Sequence, residues 1–174
     1  DLIAQAEHDP EALPVLVTPS ARLAGGVRQE LEARLEALDT ASVARSALER
    51  GAAVFVADLD DGVAACERIA PEHLELLVES PAAWASRLSA YGTLFVGEGA
   101  AEVLGDYGAG PNHVLPTSGS ARAFSGLSVL TFLRFPTTLR VDGAMDRQVV
   151  SDCEALARME GLSGHAASAA LRLG

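Results

Sequence analysis

Four histidines punctuate the chain, each among polar or conformationally special neighbours. His8 follows Gln5 by three residues in Gln5-Ala6-Glu7-His8-Asp9-Pro10. On a short helix that spacing puts both side chains on one face, within reach of a single ion. The plainer alternative is a capping or surface histidine beside a proline stop. Glu72 and His73 stand in Pro71-Glu72-His73-Leu74-Glu75, where a helix gives way to a strand. Strand ends are where ligand crevices open in α/β folds. A Glu-His pair there offers two proton-transfer groups with different tasks, one toward a substrate and one toward water. A polar helix-to-strand turn is the competing reading. Asp106 and His113 share the stretch Gly105 to Thr117, whose glycines permit close backbone approach and whose prolines stiffen it. A carboxylate and a neutral imidazole on such a loop suit a metal or a cationic ligand; an Asx-type turn with a solvated histidine is the alternative. His165 lies one turn into the last helical stretch, with Glu160 just before the preceding break, and alone it reads as a helix-start residue. Together, Gln5, His8, Asp106 and His165 make a nitrogen–oxygen ligand set for zinc without any thiolate, beside Glu72 and His73 as acid–base groups. Leu94-Phe95-Val96-Gly97-Glu98-Gly99 imitates a strand followed by a dinucleotide-binding turn, but Glu102 takes the third glycine position, so the motif carries no assignment.

The elements that must position these groups follow from periodicity. Val15-Leu16-Val17, Ala53 to Val56, Leu74 to Val78 and Thr93 to Val96 are strand-length apolar runs bounded by Pro, Gly or charge. Most lack alternation, which suits strands covered on both faces. Helical spacing appears over Ser20 to Leu38, Ala41 to Arg50 with a stop at Gly51, Asp60 to Ala70 before Pro71, and Ala82 to Leu88. Alternation at this pitch predicts an α/β fold built on an open, mostly parallel sheet, an incomplete Rossmann-like domain. After about residue 98 the pattern changes. Gly105 to Gly126 reads as a long functional loop. Leu127 to Phe135, Asp146 to Glu160 and Ser163 to Leu171 read as helices. The expected division is an α/β domain over 1–127 and a helical C-terminal segment over 128–174 that seeks a partner surface.

Composition narrows the chemistry. The 174 residues carry 13 basic against 24 acidic side chains, a formal charge of -11, which disfavours nucleic acid and anionic membrane surfaces. All the basic residues are Arg; without Lys there is no Schiff-base lysine and no P-loop. Cys66 and Cys153 lack CxxC spacing and read as buried reduced thiols of a cytoplasmic protein. No run is long enough to span a bilayer, no secretory leader is evident, and a start at Asp1 suggests a piece of something longer.

The sequence resembles the C-terminal part of the histidinol dehydrogenase family. The matching segments are Asp1 to Pro10, Ile69-Ala70-Pro71-Glu72-His73-Leu74-Glu75, Gly105-Asp106-Tyr107 through Asn112-His113-Val114-Leu115-Pro116-Thr117, Phe124 to Val129, and Glu160-Gly161-Leu162 with His165. The resemblance implies an NAD-dependent, zinc-requiring oxidation of L-histidinol through histidinal to L-histidine. It implies Gln5, His8, Asp106 and His165 as zinc ligands, His73 as the general base and Glu72 as the group that activates water. His113 and Glu160 would hold the polar end of the substrate, which the zinc ligands and His73 also line. It further implies a homodimer in which His165 and Glu160 serve the other subunit's site. The nicotinamide contacts are expected in an N-terminal half absent here, so the piece alone should not turn over. Against this stand a sibling dehydrogenase of another primary alcohol such as a sulfonated diol, a zinc hydrolase using Glu72, and a non-catalytic fragment.

Overall fold

The computed structural model describes residues 1–173. Its elements divide between two compact units, one running through Phe132 and one from Leu133 onward. In the first, α1 (Leu2–Ala6) precedes β1 (Val15–Thr18), α2 (Ala21–Leu35), α3 (Ala41–Arg50), β2 (Ala52–Phe55) and α4 (Leu59–Ile69). Then come β3 (His73–Leu76), α5 (Pro81–Ala85), β4 (Thr93–Val96) and α6 (Glu102–Asp106). Local chemistry sets the helix starts. Ser20 Oγ accepts the Leu23 N–H at 3.1 Å to cap α2, and Asp58 Oδ1 accepts the Asp61 N–H at 2.9 Å to cap α4.

The four strands and the last two helices fall where the sequence predicts, but the sheet is divided. The strands form two parallel pairs, β1 with β2 and β3 with β4, and no ladder joins the pairs among the described residues. Nor is every strand covered on both faces: β2 leaves Phe55 60% exposed. Gly51 ends α3 as expected but not in a left-handed conformation; its φ is -63°. A glycine is required there because a Cβ would lie 2.6 Å from the Pro14 carbonyl oxygen.

Two packing features bear on function. Ala6 of α1, Leu35, and Ala44 and Ala47 of α3 form a buried cluster backed by Ile3, Leu38 and Leu48. Thr40 Oγ1 adds a hydrogen bond to Glu7 Oε2 at 2.5 Å. The five-residue α1, too short to persist alone, is thereby fixed with Gln5 and His8 at its C-terminal end. At the end of α4, Ala70 is fully buried and left-handed at φ 50°, and its N–H reaches the Cys66 carbonyl at 2.8 Å. That turn, followed by Pro71, ends the helix and delivers Glu72 and His73 to the start of β3.

The stretch expected as a helix over Leu127 to Phe135 holds only a 3-10 turn at Val129–Phe132. Its side chains are apolar around most of the circumference, and Val129, Phe132 and Phe135 are 77%, 79% and 80% exposed. No apolar face is buried to repay helix formation, and Pro136 turns Phe135 away from helical geometry. The second unit is a pair of packed helices, α7 (Arg147–Met159) and α8 (Ser163–Ala170), with Val150, Ala157 and Ala166 buried. Asp146 caps α7 through the Gln148 N–H at 2.7 Å, and Gly161 at φ 75° makes the left-handed turn between the helices.

Candidate metal and proton-transfer site

His73 opens β3, paired in register with Thr93 of β4. Its backbone is held by the turn before it: Thr93 N–H donates to the Glu72 carbonyl at 2.9 Å and Gly92 N–H to the Pro71 carbonyl at 3.0 Å. Gly92 is needed for this approach, since a Cβ would come within 2.5 Å of the Glu72 carbonyl oxygen. The imidazole packs against Phe95 of β4, centroids 6.0 Å apart and planes 28° from parallel. Phe95 in turn supports α6, where Gly105 lies so close that a Cβ would stand 2.7 Å from the ring.

That contact presents one face of α6 to His73. Glu102 and Asp106 are four residues apart, so their carboxylates share a side of the helix. Nε2 of His73 lies 3.9 Å from Asp106 Oδ1 and 4.0 Å from Glu102 Oε1, with all three side chains largely buried. Both His73 ring nitrogens, Glu102 Oε1 and Asp106 Oδ1 are buried without a hydrogen-bond partner. Groups of this kind normally have partners, so four orphans in one place point to a missing ligand. His8, at the end of α1, completes the arrangement: ligand atoms of His8, Glu102 and Asp106 all lie within 4.8 Å of one another. Donor atoms around a zinc-like ion stand roughly 3.4 Å apart, so a small contraction would seat one. The Gln5 amide lies next to the Glu102 carboxylate and favours its charged form.

The electrostatics agree. Burial pushes the Glu72 carboxyl up, with Asp106 and Glu102 adding to the rise while His73 and His8 oppose it. Burial pushes His73 down, against the pull of Glu72 and Asp106, which leaves a neutral imidazole at pH 7. Glu102 is raised by burial first and by Asp106 next. No guanidinium is among the charges acting on these three residues. A buried excess of carboxylate over cation calls for a metal or a cationic ligand.

Of the residues singled out in the sequence, Gln5, His8, Glu72, His73 and Asp106 converge here. His113 is exposed at a bend in the irregular stretch that follows α6 and does not join the cluster. Its backbone is pinned by Asn112, whose Nδ2 donates to the Leu127 carbonyl at 2.7 Å and whose Oδ1 accepts the Val114 N–H at 3.0 Å. Glu160 and His165 are exposed in the second unit, at the end of α7 and the first turn of α8. Glu102, passed over in the sequence as a spoiled glycine, is 2% exposed and central to the site. Its four-residue spacing from Asp106 was the available signal.

A family model described as histidinol dehydrogenase matches residues 1–173. Histidinol dehydrogenases of Moorella thermoacetica and Nitratidesulfovibrio vulgaris are 47% and 48% identical over 173 residues, 99% of this chain and 41% and 40% of those proteins. That of Thermus thermophilus is 44% identical over 172 residues, 99% of this chain and 42% of the relative. The crystal structure of histidinol dehydrogenase from Elizabethkingia anophelis superposes with a TM-score of 0.83 at 29% identity, covering 99% of this chain and 40% of that one. The chain thus spans about two fifths of the length of the curated relatives it matches.

Proposed function

Because the chain belongs to the histidinol dehydrogenase family, we propose that the protein it is part of oxidises L-histidinol to L-histidine in two steps through histidinal, with NAD as oxidant, in the cytoplasm. The observation that supports this most is the meeting of His8, Asp106 and His73 around buried, unpartnered ligand atoms beside Glu72. Gln5, His8 and Asp106 would hold zinc from one subunit and His165 from the other. Bound there, zinc supplies a Lewis-acidic anchor for the imidazole and amine of an amino alcohol. Two molecules of NAD, one for each oxidation, would supply the hydride acceptors.

His73, kept neutral by burial, takes the hydroxyl proton as the first hydride leaves the carbinol carbon. The product is the aldehyde. As water attacks the aldehyde carbon, Glu72, whose raised pKa makes it a stronger base than an exposed glutamate, takes the proton of the water and His73 returns its own to the carbonyl oxygen, which gives the hydrate and a neutral imidazole again. His73 then takes the hydroxyl proton of the hydrate as the second hydride departs, leaving the carboxylic acid. Glu160 accepts an N–H of the substrate's amine and His113 meets the substrate's polar end. The working protein is a homodimer, with residues 1–127 binding zinc and substrate and residues 128–174 docking on the second subunit. Glu160 would oppose an anionic sulfonated diol, which favours histidinol over that sibling substrate.

The test is NAD-dependent oxidation of histidinol by the complete protein, before and after chelation. Formation of two NADH per histidinol, abolished by zinc removal and restored by zinc, is expected. Full activity after zinc removal would sink the reading.

A further inference from the structure

The site holds two buried carboxylates on one face of α6, and the reaction above gives a task to Asp106 alone. The side chains of Glu102 and Asp106 are 3% and 7% exposed, and Glu102 Oε1 and Asp106 Oδ1 both lack a hydrogen-bond partner. Unpaired anions so placed repel each other and have lost their water. Among the described residues their ion-pair contacts are with His73 only. His73 must be neutral to take a proton, so it cannot supply the missing positive charge.

We propose that Glu102 is itself a metal ligand, and that with His8 and Asp106 it gives each subunit a three-ligand cation site that loads before a second subunit contributes His165.

Geometry is the first support. One ligand atom each from His8, Glu102 and Asp106 lie within 4.8 Å of one another, which contraction around an ion would bring to ligating distance. The placement of Glu102 is enforced from outside the cluster. Its N–H donates to Glu75 Oε1 of β3 at 3.0 Å, and Gly105 lets α6 seat on Phe95 of β4. His8 arrives at the end of α1, which the packing around Ala6 holds in place. All three ligands therefore come from one unit of one chain.

Charge is the second support. A divalent ion held by Gln5, His8, Asp106 and His165 meets a single negative charge, which leaves a buried positive excess. Glu102 adds the second negative charge and makes the loaded site neutral. The order of loading follows. His165 is exposed in the first turn of α8, and an ion that needed it would wait for docking. With Glu102, an imidazole and two carboxylates are already in place, and three protein ligands are enough for a zinc site with open positions.

The inference rests on the zinc-site reading, and the experiment separates the two. Zinc affinity and stoichiometry of the complete protein are measured by chelator competition for wild type, Glu102→Gln, His165→Ala and the double variant. Circular dichroism confirms that each is folded, and cobalt(II) absorption spectra of the loaded proteins report the ligand set. Loss of a group behind a ligand costs about ten- to a hundredfold in affinity, so loss of a charged ligand should exceed ~100-fold. Glu102→Gln should weaken zinc binding by at least that factor and alter the cobalt spectrum. His165→Ala should still bind one zinc ion per chain, and the double variant should bind far more weakly than either single one. Should Glu102→Gln not fold, Glu102→Asp takes its place; it keeps the charge but withdraws the oxygens by a methylene, so an altered cobalt spectrum is again expected. A wild-type cobalt spectrum in the variant at 102 would overturn the inference even where binding is weakened, because charge without ligation then accounts for the loss. So would a His165→Ala chain that binds no zinc. Either result leaves the zinc site standing, whereas absence of zinc binding by the wild type would overturn both.

Discussion

Glu72 and His73 are neighbours in sequence, yet burial moves them in opposite directions: the carboxyl up, the imidazole down. Both shifts favour the neutral form, and both leave a group suited to accepting a proton near neutral pH. The proposed division of labour can be checked on partial reactions. Glu72→Gln should leave oxidation of histidinol to the aldehyde nearly intact and slow NAD-dependent oxidation of supplied histidinal by about 10²- to 10⁴-fold. His73→Asn should slow both steps by a similar factor. Rapid acid formation from histidinal by Glu72→Gln would remove Glu72 from the water step. Much of this site was legible in the sequence, because Gln5, His8, Glu72, His73 and Asp106 are residue types whose chemistry is local to their own short motifs. Glu102 was not. A glutamate three residues past the last glycine of a strand-and-turn motif has no visible function until the fold shows that it is buried beside Asp106.

The elements act as levers that set where these groups point. The turn Pro71–Glu72 and the residues Gly92–Thr93 lie so close that only glycine fits at 92. Gly92→Ala should therefore cost about 1–3 kcal/mol in denaturant unfolding and lower activity as well, because relief of the clash displaces Glu72 and His73 together. Unchanged stability and activity would mean that the turn relaxes without moving β3. A second brace joins α4 to the approach of β4. Glu67 accepts N–H groups from Ala90 and Ser89, and the Ser89 hydroxyl, and these bonds hold its carboxyl below the usual range. A depressed folded-state pKa gives stability that is present above the ordinary glutamate pKa and lost as pH falls through the folded value. Glu67 is close to solvent, so screening limits the contribution to about 1 kcal/mol or less. Urea midpoints of wild type should exceed those of Glu67→Gln at pH 7, and the two should converge on acidification below pH ~4. A gap that persists at low pH would show that shape, not charge, is responsible. At this scale the sequence predicted α3 at Ala41–Arg50 and β4 at Thr93–Val96 to the residue. It misjudged Leu127 to Phe135, since apolar spacing alone does not tell a helix that has a surface to bury against from a segment that has none.

The whole molecule raises a question of completeness that its two units pose in different ways. The first unit brings together five of the eight candidate site residues, and the second displays Glu160 and His165 on its surface. Exposed apolar side chains at Leu130, Phe132, Phe135 and Leu139 run along the stretch that connects the units. Isolated apolar residues on a surface are ordinary, but a succession of them is what an interface looks like before its other half arrives. If the second copy of the protein supplies that half, each site takes Glu72 from one subunit and His165 from the other. Complementation then has a definite arithmetic. A Glu72→Ala chain and a His165→Ala chain are each inactive as homodimers, but a mixed dimer has one site with both residues intact and one with neither. Random reassortment after co-expression makes half of the dimers mixed, so activity should recover to about one quarter of wild type. Recovery must follow subunit exchange: homodimers purified separately and mixed cold should start near zero and gain activity as they reassort. If both residues act within one subunit, no mixed dimer contains an intact site, and activity stays at the level of the single variants however long the mixture is left.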